Sequence, residues 1–308
     1  MGKKIGVLCG GSGSSKFVSA ITRYGSEELD PKFVGNVGDN FWYHGLYVCP
    51  DIDILTYTLS GLLDTSKGWG IAEDTFLGKD SLARSGGRSE WFSLGDKDLG
   101  ICLRRTELFQ RGWTLSTITR ELCLKLGAKY PVIPATDDPV QTFVRTAEGN
   151  MHLQEFWVKR AGKLQPLDVS YVGAQSATPC SEASEICKGP VLICPANPVT
   201  SILPTLNLKG IRSKLSRSKV IAISPFVGNQ PFSGPAGSLM RALGFLPNSL
   251  GVAKLYSGFL KLFFLDKNES SEIVASIRDT GIECIVTNTR IDSEEDKKKI
   301  AEELVSTL

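Results

Sequence analysis

The sequence predicts an α/β fold, with a doubly wound, mostly parallel sheet and a smaller, mainly helical insertion. Three observations carry that expectation. Short β-like runs alternate with helical stretches, the pattern of βαβ units. The runs at 190–194 and 218–224 are continuously apolar, as strands covered on both faces are. The first β-like run, 3–9, ends in glycines that lead into a helical stretch.

In chain order, strand 3–9 is followed by helix 15–24, strand 32–37 and helix 51–63, which Asp51 and Asp53 open. Residues 60–130 carry few strand signals and three of the five tryptophans, with helical stretches at 97–111 and 115–127. Strand 130–134 comes next, then a β-rich insert at 140–173 built on Thr-Phe-Val-Arg-Thr, Glu-Phe-Trp-Val and Asp-Val-Ser-Tyr-Val. Strands 190–194, 218–224, 260–265 and 282–288 alternate with helices 235–244, 270–279 and 292–307. Asp292 and Ser293 stand near the start of the last helix, and Leu304 and Val305 follow its charged face. There is no internal repeat and no low-complexity linker. The organisation expected is a Rossmann-like core, 1–59 and 131–308, interrupted by a mainly helical insertion at 60–130.

With 308 residues, 42% of them hydrophobic and 22% charged, the chain can bury a sizeable core and is not a disordered protein. Thirty-five Lys and Arg against 33 Asp and Glu leave a net charge of +2. Such a balance exerts no global pull on nucleic acid or an anionic membrane, so any anion site is local. No apolar run reaches the ~18 residues of a membrane span. The N-terminal apolar stretch is too short for a secretion signal, and Gly2 lacks the Ser or Thr at position 6 that myristoylation requires. The eight cysteines form no C-x-x-C pair and only two histidines accompany them, which argues against structural zinc. Most of them read as small buried hydrophobes, and the expected compartment is a reducing cytoplasm.

Seven segments carry the chemistry. Cys9-Gly10-Gly11-Ser12-Gly13-Ser14-Ser15-Lys16 lies between a strand and a helix, so it is either a phosphate-binding turn or a plain tight turn. Lys16 replaces the last glycine of a G-x-G-x-x-G pattern, and the spacing is not that of a Walker loop. Asn36-Val37-Gly38-Asp39-Asn40 ends the second strand, on the edge where doubly wound sheets bind ligands. Asp51 and Asp53 are either helix caps or oxygen ligands for Mg²⁺. Gly95-Asp96-Lys97-Asp98, with Arg104, Arg105 and Thr106, reads as a solvated charged turn at a helix start. Thr136-Asp137-Asp138-Pro139 is either a metal or hydroxyl contact or an Asp-Pro turn. Cys194-Pro195-Ala196-Asn197-Pro198-Val199-Thr200-Ser201, and Ser224-Pro225-Phe226-Val227-Gly228-Asn229 with Ser233-Gly234-Pro235, are strand-to-helix loops that present N–H and hydroxyl groups. Together they point to an enzyme with a nucleotide or phosphate-bearing ligand.

The ordered set resembles one family. Gly-Gly-Ser-Gly-Ser-Ser-Lys (10–16), Asn-Val-Gly-Asp (36–39), Gly-Leu-Tyr-Val-Cys-Pro-Asp-Ile-Asp (45–53) and Gly-Trp-Gly-Ile-Ala-Glu-Asp-Thr-Phe (68–76) come first. Trp-Phe-Ser-Leu-Gly-Asp-Lys-Asp (91–98), Thr-Asp-Asp-Pro-Val (136–140), Pro-Ala-Asn-Pro-Val-Thr-Ser-Ile (195–202) and Ser-Pro-Phe-Val-Gly (224–228) follow, with Ser-Gly-Pro-Ala-Gly (233–237). From about residue 4 to 290 the chain is similar to the CofD family, the 2-phospho-L-lactate transferases of deazaflavin coenzyme F-420 biosynthesis.

The resemblance implies transfer of a phospholactyl group from a guanosine diphosphate-linked donor to the ribityl hydroxyl of the deazaflavin Fo, with release of GMP and a need for Mg²⁺. It makes Asp39 and Asp51 the metal-ligand candidates. Asp53 and Ser93 match deazaflavin-contacting positions, and Asp53 is the candidate proton acceptor. Gly10, Gly11, Ser12, Gly13, Lys16, Asn197, Pro198, Ser201, Ser224, Gly228, Asn229 and Gly234 are the candidates for holding the nucleotide. The insertion at 60–130 would cover the deazaflavin, and the family often forms homodimers. The partners implied are small molecules, not nucleic acid or membrane. Three departures stand out: the Ser-Gly-Ser-Ser-Lys loop, Asn40 where an acid is common, and Cys102 where His is frequent. The Cys102 change keeps an alternative in view, a YvcK-like regulator that binds a nucleotide or nucleotide-sugar without catalysis. The segments at 45–53 and 68–98 favour the transferase.

Overall fold

Apolar runs without a polar alternation need cover on both faces, and here they form the middle of the sheet. In the computed structural model, which describes residues 2–86, 91–228, 230–232 and 234–308, the chain begins with β1 (Lys3–Cys9), α1 (Gly11–Tyr24) and β2 (Leu29–Gly35). A hairpin of β3 (Phe41–Tyr43) and β4 (Leu46–Val48) leads to α2 (Pro50–Ser60). Three helices follow: α3 (Leu77–Arg84), α4 (Asp96–Gln110) and α5 (Leu115–Lys125). Then come β5 (Val132–Pro134), β6 (Gln141–Thr146), β7 (Gly149–His152), β8 (Asp168–Val172), α6 (Ser181–Ile186), β9 (Val191–Ile193), α7 (Leu203–Leu206), α8 (Ile211–Leu215) and β10 (Val220–Ile223). The chain closes with β11 (Phe226–Val227), β12 (Gln230–Pro231), α9 (Ala236–Ala242), α10 (Ser249–Leu255), β13 (Leu260–Asp266), α11 (Ser271–Arg278), β14 (Glu283–Thr287) and α12 (Glu294–Thr307).

The central sheet has the order β14-β13-β10-β9-β1-β2-β5, and every neighbouring pair in it is parallel. Each of these seven strands falls on one of the seven strand runs expected from the sequence. The chain winds outward from β1 through β2 to β5, then returns to β9 and winds the other way. The reversal lies between β1 and β9, and the crevice beyond their carboxyl ends is where such sheets bind ligands. β1, β2, β9 and β10 therefore deliver their loops, and the motif residues on them, to one place. Val191–Ile193 and Val220–Ile223 are entirely buried.

Some elements differ from the expectation. α1 starts at Gly11 rather than 15, so the glycine-serine run is the first turn of the helix and not a free loop. In the β-rich insert, Gly149–His152 is the strand and Glu155–Lys159 is a single π-helical turn. β6, β7 and β8 form a separate antiparallel sheet in the order β7-β6-β8.

The charged turn at Gly95-Asp96-Lys97-Asp98 is not a merely solvated feature. Asp96 accepts the Leu77 and Gly78 amides at 3.0 and 2.8 Å, satisfying the start of α3. Asp74 accepts the Lys97 and Asp98 amides at 2.8 and 3.2 Å, satisfying the start of α4. The two motif segments thus cap each other's helix. Asp137 takes the Ser116 amide at 2.6 Å, at the start of α5, and Asp138 takes the Thr178 amide at 2.7 Å. Among the described residues no helix is long and apolar enough to cross a membrane, and all eight cysteines are free.

Candidate active site

Asp39 and Asp51, from two of the predicted segments, meet around Asn36 at the reversal point, with Asp53 near Asp39, and each has its own donor from the protein. Asp51 is the second residue of α2, after Pro50, where the helix N-terminus favours a negative charge. Its side chain accepts from the Gly11 amide at the start of α1 and from the Ser201 hydroxyl, and Asn36 Nδ2 donates to its Oδ2 at 2.9 Å. Burial raises its carboxyl to about pKa 6, against the pull of these three donors. Asp39 accepts from Gln154 Nε2 at 3.1 Å. Burial and the neighbouring charge of Asp51 push its carboxyl well above the usual carboxylate range. Asp53 accepts from both terminal nitrogens of Arg105, Nη1 at 3.1 Å and Nη2 more closely, and from the Cys49 amide at the start of α2. Of the pair Asp51 and Asp53, then, Asp53 is the one bonded to its own helix start.

Asn36 holds the centre together. Its Nδ2 also donates to the Thr200 carbonyl at 3.1 Å and lies 3.5 Å from Asp39 Oδ1. An amide has only two N–H groups, so Asp51 and Thr200 use them and Asp39 relies on Gln154. The glycine of the first motif is needed for close approach. A Cβ on Gly10 would lie 2.5 Å from Asp51 Oδ2 and 2.6 Å from Ser201 Cβ. Gly11, with φ +62°, takes the left-handed turn into α1.

The nucleotide candidates divide by position. Gly10, Gly11 and Ser201 border the acidic centre. Ser12, Gly13 and Lys16 line a cleft of about 850 Å³ whose other walls include Gly68, Phe232, Arg290 and Asp292. Lys16 Nζ donates to the Ile291 carbonyl at 2.9 Å within that cleft. Asn197 caps the π-helical turn Pro198–Ile202, accepting the Val199 and Thr200 amides at 3.0 and 3.3 Å. A Cβ on Gly234 would sit 3.8 Å from its Nδ2, so the second and third loops meet there. Gly228 and Gly234 take positive φ, at 55° and 62°. Ser224 is fully buried, bonded to Ser249 at 2.8 Å and accepting the Phe226 amide at 3.1 Å, so its hydroxyl fixes the loop from beneath. Asn229 lies outside the described residues.

No hydrogen bond among the described residues joins Ser93 to Asp53. The Ser93 hydroxyl accepts from Lys79 Nζ at 2.8 Å, beside an aromatic cluster in which Phe41 stacks on Trp91 with centroids 5.9 Å apart and meets Phe92 edge-on at 5.0 Å. Cys102 joins that cluster and lies 3.6 Å from Arg105 Nη1.

Sequence reading missed Gln154 and took Arg105 for a solvated cation, although Arg105 is only 1% exposed. Gln154 has no local signal. Arg105 had one: Asp98, Cys102, Arg105 and Thr106 share a helical face at spacings of four, seven and eight.

Among the described residues no group of three His, Cys, Asp or Glu side chains is arranged to hold a metal by itself. A hard cation of the Mg²⁺ type needs only one or two carboxylates when phosphate and water complete its shell. Asp39 and Asp51 match that donor set, and the adjacent Asn40 Oδ1 is buried with no hydrogen-bond partner among the described residues.

The raised pKa of Asp51 has a consequence for stability. Its folded value, about 6, lies above the unfolded value, so the folded chain binds the proton more tightly. Its contribution is present below about pH 4 and is lost as pH rises through 6, a change of about 3 kcal/mol. Urea unfolding of the cation-free protein should therefore show an acid-side gain that Asp51→Asn flattens. A parallel pH dependence in both proteins would reject this account.

A doubly wound sheet with a buried acidic centre at its reversal point, beside a glycine-opened helix and a cleft, defines an α/β protein with a ligand site at that edge. The chain belongs to the CofD family: the family model described as 2-phospho-L-lactate transferase CofD matches residues 5–306. The 2-phospho-L-lactate transferase of Methanopyrus kandleri is 37% identical, over 99% of this chain and 97% of that protein. Its namesake in Methanocaldococcus jannaschii is 37% identical over 98% and 97%, and that of Methanospirillum hungatei 36% over 88% and 91%. Among solved structures, a UPF0052 family protein of Bacillus halodurans has the same fold, with a TM-score of 0.67 at 14% identity over 99% of both chains.

Proposed function

We propose that the chain transfers a 2-phospholactyl group from a guanosine diphosphate-linked donor to the ribityl hydroxyl of the deazaflavin Fo, releasing GMP. The observation that carries this reading is the meeting of Asp39 and Asp51 around Asn36 at the mouth of the glycine-opened helix, with Asp53 near Asp39, in a chain of this family. An alcohol that attacks a diphosphate needs in-line positioning and a site that tolerates the charge of the phosphate oxygens, and little covalent chemistry from the protein. Asp39 and Asp51 would hold Mg²⁺, which when bound supplies positive charge to the diphosphate. Ser12, Gly13, Lys16 and Asn197 line the approach on the donor side. Asp53 takes the proton of the attacking hydroxyl, and the aromatic cluster around Phe41 and Trp91, with Ser93, offers a flat surface for the deazaflavin ring.

Incubation with Fo, the phospholactyl-guanosine donor and Mg²⁺ should give a more anionic deazaflavin, separable by ion-exchange chromatography, together with one GMP per product. An absence of product while a relative from this family is active under the same conditions would overturn the reading. Absence of both turnover and Fo binding by fluorescence would favour a nucleotide-binding regulator.

A further inference from the structure

The acidic centre contains one cation that the function described above does not use. Arg105 comes from α4, the helix after the Trp-Phe-Ser-Leu-Gly-Asp segment, and reaches under β4 to α2. It is 1% exposed. Its guanidinium grips both oxygens of Asp53. Nη1 also donates to the Tyr47 carbonyl at 3.2 Å and to Cys102 Sγ at 3.6 Å. Nε is buried with no hydrogen-bond partner among the described residues.

This is a poor way to hold α4 in place. A buried ion pair gives no more stability than well-packed apolar side chains of similar volume, and an unmatched buried donor is a further cost. What a bidentate guanidinium supplies and an apolar pair cannot is a fixed plane for the carboxylate. Asp53 is held from two directions, by Arg105 and by the Cys49 amide, which leaves its carboxylate a single orientation.

We propose that Arg105 is a positioning residue for the transfer: it fixes the Asp53 carboxylate in the orientation that receives the acceptor's hydroxyl. Arg105 touches no substrate and acts only through Asp53. The proposal rests on the transferase reading given above, and its test separates the two.

The experiment measures steady-state transfer to Fo by the full-length protein, its Arg105→Met and Arg105→Lys variants, Asp53→Asn, and the double variant Asp53→Asn/Arg105→Met. Arg105→Met should lower kcat at least thirtyfold while the KM for the guanosine diphosphate-linked donor stays within twofold. Arg105→Lys, which keeps the charge but not the fork, should recover only part of the loss, three- to tenfold. In the Asp53→Asn background, Arg105→Met should cost less than a further threefold, because the group it positions has already lost its function. A fold-loss as large in that background as in the parent would overturn the proposal, and so would a folded Arg105→Met with parental kcat. If Arg105→Met alone does not fold, the double variant and Arg105→Lys decide: a Lys variant as active as the parent overturns the proposal. A parent that transfers nothing to Fo overturns the transferase reading, and the role of Arg105 with it.

Discussion

Replacing Asp39 with asparagine is expected to lower the transfer rate about a thousandfold while leaving the chain folded and more stable at neutral pH. Asparagine keeps the shape of the side chain, and its Oδ1 can still accept from Gln154 Nε2, now 3.1 Å from Asp39. What it removes is one of two repelling buried charges, since Asp39 and Asp51 raise the energy of the ionised centre. A carboxylate whose pKa is raised on folding destabilises the folded state above that pKa, so its loss is stabilising. The same charge is what a divalent cation needs, and removing one such electrostatic group from a reacting centre typically costs 3–4 kcal/mol in the barrier. With the donor in the proposed cleft beside Ser12 and Lys16, which does not include Asp39, GDP binding should persist. Calorimetric titration with GDP, urea unfolding and kcat test the three parts. A kcat within tenfold of the parent, or a less stable protein, would show that Asp39 is structural.

Gly10→Val should be the most damaging single change in the first motif. Gly10 has extended backbone, φ −177°, which valine adopts readily, so strain is not the reason. The obstacle is space. The new Cβ would lie 2.5 Å from Asp51 Oδ2, 2.6 Å from Ser201 Cβ and 3.1 Å from Asn36 Cβ, all buried and all part of the acidic centre. Overpacking of this kind costs about 1–3 kcal/mol and displaces the groups it strikes. Transfer should fall below a hundredth of the parent rate, with a lower melting temperature. Gly61→Ala, whose Cβ would meet nothing within 4 Å although φ is +72°, should lose stability and keep most of its activity. Equal activity losses in the two variants would refute the close-approach argument.

The sheet was legible in the sequence because its strands are short apolar runs between helices, as at 191–193 and 220–223. The hairpin of Phe41–Tyr43 and Leu46–Val48 was not, since three residues are too few for a period to show. Asp39, Asp51 and Asp53 were legible as chemistry, and the family resemblance already put them in one reaction. Their partners were less so. Gln154 is 115 residues from Asp39, and Arg105 is 52 from Asp53. A charged helical segment looks solvated until something is packed over it, and the side of α4 that faces β4 was visible only as a weak helical spacing.

What the sequence determined by itself is the parallel sheet, the order of its strands along the chain and the residue types available for chemistry. Those follow from local rules: apolar periodicity, helix starts and glycines at turns. Only the tertiary structure decided which loops share an edge, because β9 returns to lie beside β1 and so brings Ser201 against Gly10. It also decided the state of each carboxylate. Burial and neighbouring charge set that state, and both depend on residues far apart in sequence. The glycine-serine run shows this most directly: from the sequence it is either a phosphate-binding turn or a plain tight turn, and in the folded chain the Asp51 carboxylate accepts from the Gly11 amide at its mouth.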